Sequence, residues 1–139
     1  MFAFAPGSAA SLRQAGAYAQ VGVTTGVDGA SAHGLIVLLF DGLLRVLAEA
    51  RGAIQKRDVA AKGRAIGRAV RIVDEGLNAA LNLDQGGPLA GDLQRLYRYI
   101  GLRLTEANLH NDEAALEECT RLVETLRSAW SQIADRVPA

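Results

Sequence analysis

Residues Leu35–Leu47 read LIVLLFDGLLRVL, and this stretch decides the fold. Its length suits a helix, yet it is apolar on nearly every side. A helix in a simple bundle needs one apolar stripe facing the core. Leu35, Leu39, Leu43 and Leu47 recur at helical spacing and supply that stripe. Ile36, Leu38, Phe40 and Leu44 lie off it and require cover, from elsewhere in the chain or from a partner. Asp41 and Arg45 interrupt the apolar run too soon for a membrane span, which needs about 20 such residues.

The helical period continues downstream. Asp58 is placed to cap a second helix, with Ile66, Val70, Val73, Leu77 and Leu81 along one face. The segment LNLDQGGP ends it, and Pro88 suits the first turn of a third helix. There Leu89, Leu93, Leu96, Ile100, Leu104 and Ala107 form the stripe. His110-Asn111-Asp112 breaks the pattern, with Asn111 or Asp112 as a cap. The fourth helix carries Leu116, Cys119, Leu122, Val123, Leu126, Trp130 and Ile133.

Upstream, the first long helix is expected from Ser31 to about Arg57. Lys56 and Arg57 would then occupy its last turn, where cations favour the helix dipole. Residues 11–23 have weaker helix potential, with a thin apolar edge at Leu12, Tyr18 and Val21. The expected division is therefore a flexible segment with a short lid helix over residues 1–28 and a bundle domain over 29–139. Short connections make sequence neighbours antiparallel. The fold class is all-α: an antiparallel up-down four-helix bundle with a short additional N-terminal helix or lid segment.

Composition narrows the function. A chain of 139 residues suits one core, and 15 basic against 15 acidic residues give no field toward nucleic acid or stable membrane insertion. The single Cys119 forms no internal disulfide and falls on an apolar stripe, where it packs as a small hydrophobe. The N-terminus shows no export-signal pattern, and the expectation is a cytoplasmic protein.

Only His33 and His110 are available as imidazole ligands, and Glu106-to-His110 has neither the spacing nor the second copy of a ferritin-like metal site. No catalytic set, cofactor motif or metal site is expected. Gly86-Gly87 reads as a turn rather than a phosphate loop. Arg64, Arg68 and Arg71 form a basic edge, solvated or docking. Gly63 and Gly67 beside Ala60 make either a packing contact or a furrow for another helix. Tyr97 lies beside the third stripe, whereas Tyr99 points elsewhere. The surplus apolar faces suggest a groove for another protein's amphipathic helix, walled by Leu35–Leu47 and covered by the helix around Tyr18 when empty.

Several stretches carry a resemblance. They are AYAQVGVTT at Ala17–Thr25, ASAHGLIVLLFDGLLRVLAEARGAIQKRD at Ala30–Asp58, LNLDQGGPLAGDLQRLYRYIGLRLTEANLHND at Leu81–Asp112, and LRSAWSQI at Leu126–Ile133. In their order and spacing, over nearly the whole chain, they resemble the FliS family of flagellar secretion chaperones. Ala32 stands where the family usually has Pro, and Phe40 where it has Tyr.

The resemblance implies a cytosolic, non-enzymatic bundle, monomer or homodimer when free, that binds the carboxy-terminal, polymerisation-prone segment of flagellin. It blocks premature filament assembly and hands its client to the flagellar type III export gate. On this reading Leu38, Phe40, Leu44, Tyr97 and Tyr99 form the client groove. Tyr18 and Val21 form the lid and help present the complex to the gate. Asp41 bonds the amino-terminal segment or a nearby Arg, or is simply exposed. The competing reading is a helical adaptor or regulatory bundle for another flagellar or anti-sigma-factor partner.

Overall fold

The computed structural model describes residues 32–81 and 86–136. Helix α1 spans Ala32–Gln55 and α2 spans Val59–Arg71, which continues directly into a π-helical segment, Ile72–Asn78. Helix α3 spans Gly87–His110 and α4 spans Glu113–Arg136. Among the described residues there is no strand, and the expected four-helix bundle is what forms. Ser31, Tyr18, Val21 and the lid helix lie outside the described residues.

Each long helix has 24 residues, hence a length of about 36 Å. Side-chain pairs set the antiparallel order. Arg51 near the end of α1 meets Glu113 at the start of α4 at 3.3 Å, and Asp41, nearer the start of α1, meets Arg127, nearer the end of α4. Arg68 of α2 pairs with Glu49 of α1. Around the bundle the order is α1, α2, α3, α4, so α1 and α3 stand on a diagonal.

The caps explain where the helices stop. Asp58 is an N-cap: its Oδ1 accepts from the Ala61 N–H at 3.0 Å. Asn111 and Asp112 divide the capping between them. Asn111 closes α3 in the left-handed conformation, and Asp112 Oδ1 accepts from the Ala115 N–H at 3.2 Å to start α4.

The first helix ends earlier than its charge pattern suggested. It stops at Gln55, so Lys56 and Arg57 lie beyond its last turn, and Arg57 adopts a left-handed φ of 58°. The Asp58 N–H reaches back to the Ala53 carbonyl at 2.9 Å, the closing bond of a left-handed helix end.

The core absorbs most of the surplus that made α1 conspicuous. Phe40, Leu43 and Leu47 are fully buried, and Ile36, Leu39, Val46, Ala50 and Ala53 are buried with them. The physical reason is that α1 packs against two neighbours, α2 and α4, and against the π segment, so it needs a wide apolar arc. Leu77, Ile100, Leu104, Leu116 and Val123 complete the centre.

The second helix is not uniformly α. Its wider winding over Ile72–Asn78 departs from the continuous α-helix expected there. Gly76 lies in this segment, buried against α1. A Cβ there would come within 3.1 Å of both Leu39 methyls, so glycine permits the close approach. Gly63, by contrast, faces open space and makes no packing contact with another helix of the bundle.

Candidate binding surfaces

The five residues proposed as one groove do not share a surface. Phe40 is fully buried, with its ring edge-on to Trp130 at 6.4 Å. Tyr97 is also buried, at 3% exposure, and burial pushes its phenol up to about 12. Both are core residues, and the groove assignment is corrected for them. The alternation of apolar residues around α1 gave no means of telling the wide core arc from an outward wall. Leu38 is outward, at 42% exposure, and Leu44 is half-buried against the core.

Tyr99 is outward too, but on α3, diagonal to the helix that carries Leu38. Its hydroxyl donates to Glu118 Oε2 on α4 at 2.7 Å. Glu118 Oε1 accepts from Arg103 Nε at 2.7 Å, and Arg103 also meets Glu106 at 2.8 Å. This surface network laces α3 to α4. The bonds from Tyr99 and then Arg103 hold the Glu118 carboxyl below its usual range, while the same bond raises the Tyr99 phenol.

Three outward residues, Val59, Leu102 and Leu109, escaped the sequence reading, and Leu89, assigned there to the third stripe, is 59% exposed. Leu102 and Leu109, on the outer face of α3, are 61% and 71% exposed. Their signal was present: they are two turns apart and lie off the stripe of Leu93, Ile100 and Leu104. Asp41 meets Arg127 of α4, which selects the nearby-Arg alternative, and the bond strengthens the guanidinium's hold on its proton.

A cleft of about 150 Å³ opens where α1 begins, lined by His33, Leu35, Ile36, Leu77, Leu81, Tyr97 and Trp130, among others. The His33 and Trp130 rings stack at 5.0 Å. His33 Nε2 and Trp130 Nε1 are buried atoms without a hydrogen-bond partner among the described residues. Buried polar atoms are nearly always paired, so the described residues alone leave this end of the bundle incompletely satisfied.

Chemistry of bond making has little to work with here. Among the described residues no group of three or more His, Cys, Asp or Glu side chains gathers as a metal site would require. Cys119 is buried, and desolvation pushes its thiol up to about 11, which leaves it inert as a nucleophile. No described helix is long and apolar enough to cross a membrane.

The fold defines an all-α helical-bundle protein. The chain belongs to the FliS family: the model described as "Flagellar protein FliS" matches residues 14–137. It is similar to the flagellar secretion chaperone FliS of Salmonella typhimurium, 45% identical over 120 residues, covering 86% of this chain and 89% of that one. It is also similar to the flagellar secretion chaperone FliSB of Pseudomonas aeruginosa, 44% identical over 116 residues, covering 84% and 91%. The flagellar secretion chaperone FliS of Bacillus subtilis is 33% identical over 116 residues, covering 84% and 82%. The relatives are named as chaperones, a non-enzymatic role, which places this chain in the flagellar secretion chaperone family.

Proposed function

We propose that this chain is a cytosolic export chaperone for the carboxy-terminal segment of flagellin. It keeps that segment from polymerising and delivers it to the flagellar type III export gate. The observation that supports the reading is a surface one. A bundle whose core is already full still exposes Leu38, Leu102 and Leu109. Leu102 and Leu109 lie two turns apart on one face of α3 and Leu38 stands on the diagonal helix, so a client chain that covers them buries apolar area on both.

The diagonal placement of α1 and α3 adds a geometric requirement. A client that touches both Leu38 and Tyr99 has to wrap around the bundle rather than lie in one groove. Leu44 contributes at the edge of α1. Tyr18 and Val21 retain their proposed role as lid and presentation residues. A disordered client that orders on such a surface buries apolar area and gives a negative heat-capacity change.

The test is calorimetric titration of the full chain with the carboxy-terminal segment of flagellin from the same organism. Sub-micromolar binding with a large negative heat-capacity change is the expected result. Leu38→Glu should weaken binding at least tenfold with helicity unchanged, and deletion of residues 1–25 should tighten it. No binding by a cooperatively folded protein would overturn the proposal.

A further inference from the structure

A second and larger cleft, of about 420 Å³, lies at the other end of the bundle, between the α1–α2 turn and the α3–α4 turn. Its apolar lining comes from Ala53, Ile54 and Val59, and Val59 is 71% exposed. Its polar lining carries two cations, Arg57 and Lys62, against the single carboxylate of Asp58, with the neutral Asn111 beside them. Asp58 is already engaged, because its Oδ1 caps α2 through the Ala61 N–H.

Lys62 is the only buried charged side chain among the described residues, at 7% exposure. Its ammonium donates to the Asn108 carbonyl at 2.8 Å and to Asn111 Oδ1 at 2.7 Å. Both acceptors are neutral, and the third proton has no partner among the described residues. A buried ammonium ordinarily faces an anion. The C-terminal end of α3 supplies both acceptors, the Asn108 carbonyl at the negative pole of the helix and the Asn111 side-chain amide oxygen. It does not account for the remaining proton. Nor does it account for Arg57, whose guanidinium has no ion pair or hydrogen bond among the described residues.

Backbone geometry points to the same place. The described chain has two non-glycine residues at positive φ, Arg57 at 58° and Asn111 at 50°, and both line this cleft. A left-handed helix end favours glycine, and Asn is the usual substitute. Arg at such a position sacrifices conformational ease, and strain of this kind concentrates at functional sites.

We infer that this cleft binds a carboxylate carried on a short aliphatic group, with Arg57 and Lys62 holding the carboxylate and Ile54 and Val59 seating the aliphatic part. The end of a polypeptide chain and an acidic side chain both present this chemistry. The inference is independent of the flagellin reading and of the cleft beside His33.

The experiment is an amide-detected NMR titration of the full chain. N-acetyl-leucine should shift the amides of Ile54, Val59 and Asn111 saturably, while N-acetyl-leucinamide leaves them unmoved. The deciding variant is Arg57→Gly. It removes the guanidinium and installs the residue that the left-handed position prefers, so the melting temperature should hold or rise while affinity for N-acetyl-leucine falls at least fivefold. N-acetyl-glutamic acid α-amide serves as the side-chain source. Tighter binding of either carboxylate supports the inference and identifies the source. Equal shifts from N-acetyl-leucine and its amide, unchanged affinity in Arg57→Gly, or an equal response to inorganic phosphate would each overturn it.

Discussion

Leu38 and Phe40 sit two positions apart on α1 and have opposite surroundings, one 42% exposed and the other wholly buried. Helical geometry alone rotates them by about 200° from each other. Which of the two faces inward depends on where α2 and α4 stand. At the same scale, Glu118 offers a test of the α3–α4 lacing. Its folded-state pKa is lowered, by the Tyr99 hydroxyl first and Arg103 second. A lowered carboxylate stabilises the fold fully above the ordinary glutamate value of about 4.3 and loses that contribution as pH falls through the lowered value. Glu118→Gln should therefore be less stable than the native chain at pH 7, with the gap closing toward pH 3. Urea midpoints at the two pH values read this directly. A gap that persists at pH 3 would mean that packing, not charge, carries the difference.

At the scale of the element, the second helix behaves as two. The α-helical part, Val59–Arg71, has room around Gly63, whereas the π segment is pressed against Leu39 at Gly76. Gly63→Ala should stabilise the protein by about 0.5–1 kcal/mol, because it removes backbone freedom from the unfolded chain and meets no neighbour. Gly76→Ala gains the same propensity but drives a methyl into the buried Leu39 side chain, and overpacking of that kind costs about 1–3 kcal/mol. The pair should shift thermal midpoints in opposite directions. Parallel shifts would show that α1 yields easily at the π segment. Periodicity located this helix and its stripe of Ile66, Val73 and Leu77. The change in winding was invisible, because it answers to the neighbour's side chain and not to local preference.

For the whole molecule, one core joins all four helices, and Phe40 stands near its middle beside Trp130. Phe40→Ala should cost about 3–5 kcal/mol and lower the midpoint of a single cooperative transition. Against a total stability of about 5–15 kcal/mol for a domain, that is a large fraction. Two separate transitions would instead mean that the bundle is made of weakly coupled halves. The sequence by itself determined the helical class, the four-helix bundle and the cap at Asp58, since these rest on local spacing and capping chemistry, and it carried the family through the order of its motifs. Only the tertiary structure decided which apolar residues are core and which are surface. It moved Phe40 and Tyr97 inside, left Leu38 and Tyr99 on diagonal helices, and brought Arg57, Lys62 and Asn111 from three segments to one cleft. Burial is a property of the assembled neighbours, and one helix's sequence does not contain them.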